Sequence, residues 1–325
     1  MRQFIIRRLL ISIIVLLGVS MMLYALVRSM PSDYVTLATA TNPKVTPEMK
    51  EELRKIYGLD KSIPEGYVNW LGSAVKGEFG VSLKFNRPVT QIISEYAPIT
   101  FTVAFIALVL ELLIAIPLGI LAARKQYTKT DYIITTLVFI GISMPTFFFA
   151  ALLKKWFGPA GLNWFPAYGL LQARVIYNGF SFAKLLDYAQ HLVLPISMWV
   201  VTGVGSMLRY TRTNMLEVLN ADYIRTARAK GVSEHNVVYS HGFRNTLITL
   251  VTLLGSSLPG LFSGAAITEG LFALEGLGNI ALTASHQADV PYLMGFNMLL
   301  AVLTIIGYLI SDILYAAVDP RVRLS

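Results

Sequence analysis

Six stretches of this sequence are apolar for long enough, as helices, to cross a hydrocarbon layer of about 30 Å, a distance that takes about 20 helical residues. They run from Leu9 to Val27, Ile99 to Ala123, Ile133 to Leu153, Leu192 to Leu208, Leu247 to Ala266 and Leu293 to Ala317. A helix closes its backbone hydrogen bonds within its own segment, as lipid requires. The predicted fold is therefore an all-α membrane protein of six transmembrane helices. Composition agrees, since 55% of the 325 residues are hydrophobic and only 14% are charged, against about 25% charged in a soluble domain. Arg2, Arg7 and Arg8 precede the first stretch as they would a secretory leader. Its nineteen uninterrupted residues exceed a leader's apolar core, and Arg28-Ser29-Met30 is a poor cleavage site, so an uncleaved span is expected.

Lysine and arginine in the short loops set the orientation. With the N-terminus inside, the cytoplasmic pieces hold fourteen of them, and the two shorter outer loops hold four. Both termini are thus expected to be cytoplasmic. Three regions follow: residues 1–28 with the first span, an extracytoplasmic domain over 29–98, and a five-helix core over 99–325 containing a cytoplasmic loop at 209–245. The outer region carries helical spacing at Met49, Leu53 and Ile56, stopped by Gly58, and again at Tyr67, Trp70, Leu71 and Val75. Gly77 to Ser82 reads as a turn, and Trp156, Trp164, Phe165 and Tyr168 suit a membrane-interface belt.

Several chemistries are excluded or unsupported. The net charge of +8 reflects loops, with no nucleic-acid motif. Without cysteine there is no disulfide, thiolate nucleophile or cysteine-held metal, and His191, His235, His241 and His286 have no metal-ligand spacing. No glycine is followed by lysine, so the phosphate-binding loop of an ATPase is missing, and so are the zinc-protease and serine-elbow motifs. Neither catalytic residues nor a cofactor site is expected. Glu111, in the second span, is the one anomaly at membrane depth, where a charge costs about 2.5–3.5 kcal/mol. It reads either as a single interhelical hydrogen bond or as a proton or substrate site. Pro117, Pro145, Pro195 and Pro259 imply bends, and Gly260 and Gly264 allow close helix approach.

The loop at 209–245 is the most informative part of the chain. Asn214 to Leu219 can prolong the fourth span, Asn220-Ala221-Asp222 breaks the helix, and Gly231 supplies a left-handed stop. A helix from Tyr223 to Lys230 with Asp222 as its N-cap is about two turns long, too short to be stable alone. Tyr223, Ile224 and Ala227 share one side, Arg225 and Arg228 lie on another, and Lys230 suits the C-terminal dipole. Ser233 is the next N-cap candidate. The pattern fits a docking helix and an ordinary basic cytoplasmic loop equally well.

Arg225-Thr226-Ala227 followed after three residues by Gly231, and then His241-Gly242-Phe243-Arg244, resembles the Glu-Ala-Ala loop of permeases in binding-protein-dependent ABC importers. Arg225 and Thr226 replace the usual Glu and first Ala, and Arg244 stands where Pro is common; these departures are typical of the oligopeptide and dipeptide branch. The likeness extends to Ile6-Arg7-Arg8-Leu9, Tyr57-Gly58-Leu59-Asp60, Gly80-Val81-Ser82, Ile142-Ser143-Met144-Pro145, Glu275-Gly276-Leu277-Gly278 and Asp319-Pro320-Arg321-Val322-Arg323-Leu324.

The resemblance implies a type I ABC importer permease, half of a heterodimer in the bacterial plasma membrane. It implies a second homologous permease subunit, two ATPase subunits that bind ATP and Mg, and an extracellular or periplasmic peptide-binding protein that meets the outer domain. It assigns ATPase coupling to Asp222, Tyr223, Arg225, Thr226, Ala227, Arg228, Ala229, Lys230, Gly231 and His241. The alternatives are a self-contained proton-coupled transporter using Glu111 and a membrane scaffold with no pathway.

Overall fold

The computed structural model describes residues 2–30, 33–40, 45–173, 175–177, 179, 181–257, 260–263 and 266–318. Pro259, Gly264 and the ending from Asp319 to Leu324 lie outside the described residues. Among the described residues the regular structure is helical, with one isolated bridge between Val81 and Pro88. The first span is α1 (Arg2–Arg28), and three short helices follow it, α2 (Tyr34–Thr39), α3 (Pro47–Ile56) and α4 (Ile63–Ala74). Asp33, Thr46 and Ser62 cap these three through their side-chain oxygens, and Pro stands at the start of α3 and α4, where its missing N–H is harmless. Gly58, at φ +63°, ends the turn after α3. Of the apolar positions that predicted α3, only Leu53 packs inward; Met49 and Ile56 are exposed. Tyr24 of α1, Tyr34, Tyr57, Tyr67 and Trp70 form the aromatic floor of this region.

The long helices exceed the apolar windows that predicted them. α5 (Val89–Arg124) starts ten residues before Ile99, and α8 (Phe182–Leu219) extends past its window at both ends. Together with α1 and α15 (Val290–Val318), these are, among the described residues, the four helices long and apolar enough to cross a membrane. The third predicted span differs. It is split into α6 (Lys129–Ser143) and α7 (Thr146–Phe157), bent by 101° at Met144-Pro145. Proline keeps its predecessor extended, and Met144 has ψ 130°. Pro117 and Pro195, by contrast, sit inside helices that run on past them.

After α8 come α9 (Asp222–Ala229), α10 (Glu234–Asn236) and a π-helical segment, Val237–Phe243, leading into α11 (Arg244–Ser257). The fifth apolar window therefore appears, among the described residues, as α11, α12 (Gly260–Ser263) and the start of α13 (Ala266–Leu271), not as one long helix. α14 (Leu277–His286) precedes α15.

α5 and α8 form the most extensive helix pair, and their seam depends on small residues. A Cβ at Gly119 of α5 would stand 2.7 Å from Thr211 Cβ of α8, and one at Gly141 of α6 would stand 2.9 Å from the Val201 carbonyl oxygen. The main core packs around this seam, with Leu194, Met198 and Leu208 of α8 joined by Leu250 of α11 and by Phe272 and Leu274.

Two buried carboxylates fasten distant parts together. Asp289 accepts from the Ser82 hydroxyl, from the Leu83 and Lys84 backbone N–H groups at 3.1 and 3.2 Å, and from Tyr292 N at the start of α15. Glu269 accepts from Thr100 Oγ1 at 2.7 Å and Asn279 N at 2.8 Å, while Thr100 Oγ1 accepts from Leu277 N at 2.8 Å. Ser82 of the Gly80-Val81-Ser82 motif and the Leu277 N–H of the Glu275-Gly276-Leu277-Gly278 motif thus each take part in a structural lock.

Candidate functional site

α9 is pinned to its own protein along one edge. Ile224 is fully buried and Ala227 nearly so, and with Val237 they form a small cluster against Val218 and Val232. The expected partition of the helix needs one correction. Tyr223 does not join the buried side; it is 45% exposed, and its hydroxyl accepts from Asn245 Nδ2 at 3.0 Å. A second correction concerns the cap. Asp222 is the first helical residue and Ala221 occupies the cap position without a side-chain bond. Asp222 instead complements the dipole from the first turn and pairs with Arg225 at 3.5 Å.

The remaining boundary signals hold. Gly231 has φ +75°, and Ser233 accepts from Asn236 N. Thr226 donates to the Asp222 carbonyl, an ordinary intrahelical bond. Arg225, Thr226, Arg228, Ala229 and Lys230 all face outward, leaving a basic edge opposite the buried one. Arg228 is tied to Glu234 by bonds of 3.0 and 3.2 Å. This pairing holds the Glu234 carboxyl below the usual glutamate range.

His241 lies in the π-helical segment with an exposed side chain, and its carbonyl accepts from Asn245 Nδ2 at 2.8 Å. Asn245 therefore bridges α9 and the π-helical segment, a role that sequence spacing did not reveal. Gly242 and Val238 of that segment are buried against Met215 at the end of α8. α9 thus touches the end of α8 through Val218 and the start of α11 through the Asn245–Tyr223 hydrogen bond. A further contact missed by sequence reasoning, Arg212 on α8 to Asp131 at the start of α6, is a two-pronged ion pair with both bonds at 2.8 Å. It ties the start of α6 to α8.

Glu111 lies far from α9 in the sequence, on α5, and faces α8. A Cβ at Gly203 would stand 2.6 Å from Glu111 Oε2, so the glycine makes room for the carboxylate. Glu111 lines a cavity of about 590 Å³ with Thr146, Trp199, Thr202 and Thr268. The interhelical side-chain hydrogen bond expected of it does not form among the described residues. No three His, Asp or Glu converge as metal ligands among them either.

Comparison with known proteins places this architecture. Residues 115–324 match the family described as binding-protein-dependent transport system inner membrane component, and residues 1–104 match the N-terminal region of the same membrane component. The oligopeptide transport system permease protein AppB of Bacillus subtilis is 38% identical over 99% of this chain and 100% of its own length. A putative peptide permease protein of Brucella ovis is 34% identical over the full length of both. The dipeptide transport system permease protein DppB of Alkalihalophilus pseudofirmus is 30% identical over 98% of each. A solved inward-facing MetNI methionine ABC transporter is similar in fold over 70% of this chain and 97% of that one, with a TM-score of 0.53 and 17% identity. With matches over nearly its whole length and apolar helices throughout, this multi-pass membrane protein belongs to the family of binding-protein-dependent transport system inner membrane components.

Proposed function

We propose that the chain is the permease subunit of an ATP-driven importer of oligopeptides or dipeptides, forming half of the translocation pathway with a second, homologous permease subunit. Two ATPase subunits bind ATP and Mg and dock on the edge of α9 that carries Arg225, Arg228 and Lys230. A peptide-binding protein outside the cell delivers cargo to the region at 29–98. The chain sits in the bacterial plasma membrane with both termini cytoplasmic, and residues 99–325 form its permease core.

The observation that carries this reading is the construction of α9. Two buried apolar residues fix a two-turn helix to its own protein, while its basic side is left for another surface. The relatives named as oligopeptide and dipeptide permeases support the cargo class. The test is co-expression of the tagged chain with its ATPase subunits, followed by purification in mild detergent and uptake by vesicles. Arg225→Glu is expected to leave the chain inserted but to lower ATPase recovery and ATP-driven peptide uptake at least tenfold. Undiminished uptake by that variant would remove the coupling role of α9.

A further inference from the structure

Among the described residues no donor reaches the Glu111 carboxylate. It projects from α5, inside a segment long and apolar enough to span a membrane, where an uncompensated charge is costly. None of the hydrogen bonds or ion pairs among the described residues involves it. Two of the other polar side chains of its cavity donate elsewhere. Trp199 Nε1 donates to Thr268 Oγ1 at 3.1 Å, and Thr202 Oγ1 donates to the Met198 carbonyl at 2.9 Å. No lysine, arginine or histidine is among the described lining residues. The cavity therefore carries one unspent negative group, beside an indole whose orientation its own hydrogen bond fixes. Indole is also the aromatic group that attracts cations most strongly. At about 590 Å³ the space exceeds what one inserted side chain needs and falls within the roughly 300–1,000 Å³ of small-ligand sites.

The geometry points to a binding point for a protonated primary amine of a peptide in transit, with Glu111 as its counter-charge and Gly203 as the residue that lets the carboxylate lie against α8. This inference rests on the reading of the chain as a peptide permease subunit. The break between α6 and α7 contributes directly, because Thr146, the first residue of α7, lines the same cavity.

The sequence has no cysteine, so Thr146→Cys introduces a single thiol at the cavity wall. In membrane vesicles carrying the whole transporter, its rate of labelling by a thiol reagent reports occupancy without requiring ATP hydrolysis. Millimolar tri-alanine is expected to slow labelling at least fivefold, and N-acetyl-tri-alanine less than twofold. N-acetyl-lysinamide, which offers only a side-chain ammonium, separates the two possible sources of the amine; protection by it as well assigns the site to either source. Glu111→Gln should abolish the difference between free and acetylated tri-alanine. Gly203→Ala should do the same, because its methyl group displaces only the flexible end of Glu111 and leaves the helices in place. Equal protection by the two tri-alanines, no protection by either, or discrimination that survives Glu111→Gln would overturn the inference. ATP-driven uptake by the unmodified transporter tests the permease reading separately, so the two can fail independently.

Discussion

Replacing Ile224 with alanine removes the largest side chain that anchors α9. Ile224 is fully buried, yet its cluster is small, with only Ala227 and Val237 as buried partners and Val218 and Val232 half-covered. Truncation of a buried isoleucine costs about 2–5 kcal/mol, and a shallow site able to collapse falls at the low end, about 2–3 kcal/mol. Every 1.4 kcal/mol is a factor of ten in an equilibrium constant, so the population in which α9 is detached should rise roughly 30- to 150-fold. Hydrogen exchange of the amides from Thr226 to Lys230, measured on the purified chain in detergent, reads that population directly. Ile224→Val should accelerate exchange only about 2- to 12-fold, in line with a loss of about 0.5–1.5 kcal/mol. Arg225→Ala, on the exposed side, should change it by less than about threefold. If Ile224→Ala and Arg225→Ala exchange at the same rate, the helix is not held by its apolar edge.

Thr100→Val should leave both the Glu269 carboxylate and the Leu277 N–H short of a buried partner, a loss of about 2–5 kcal/mol. The thermal midpoint in detergent should fall well below that of Thr100→Ser, which keeps the hydroxyl; equal midpoints would argue against the lock. Gly119→Leu should weaken the α5–α8 seam by at least about 1–3 kcal/mol, because its first added atom already meets Thr211 and the Leu208 carbonyl, and undiminished stability in the same measurement would show that the seam yields easily. For the Arg228–Glu234 pair the sign follows from a depressed glutamate. Its contribution is complete above the unfolded value near 4.5 and is lost as pH falls through the lower folded value. Both side chains are about half exposed, so the contribution is below about 1 kcal/mol. Exchange in α9 should accelerate by under fivefold on acidification from about pH 5 to 3, and Glu234→Gln should flatten that response.

Local chemistry was legible at several boundaries that one residue decides, although not at the start of α9, where Ala221 and not Asp222 holds the cap position. Gly231 stops α9 because it alone can take the left-handed conformation without strain, Ser233 caps the next helix, and Pro145 breaks the third apolar window. The true lengths of α5 and α8 were not legible from hydropathy, which registers the apolar middle of a helix and not the polar turns that continue it. The two locks were hidden for a different reason. Glu269 and Thr100 are 169 residues apart and Ser82 and Asp289 are 207 apart, so neither pairing leaves a periodic trace. Asn245 and the π-helical segment escaped as well, because an extra residue per turn has no distinctive composition. At Glu111 the sequence located the anomaly, while the room that Gly203 leaves for its carboxylate across the seam is revealed only by the fold.

The fastening of Ser82, Leu83 and Lys84 to Asp289 also sets an order of events during biosynthesis. The loop that follows α4 is complete early, but its receiving carboxylate is translated 207 residues later, roughly 10–40 s at ordinary elongation rates. Throughout that interval the donors at 82–84 lack this carboxylate. The early half of the protein therefore waits, already threaded through the membrane, for the start of its final helix to close it.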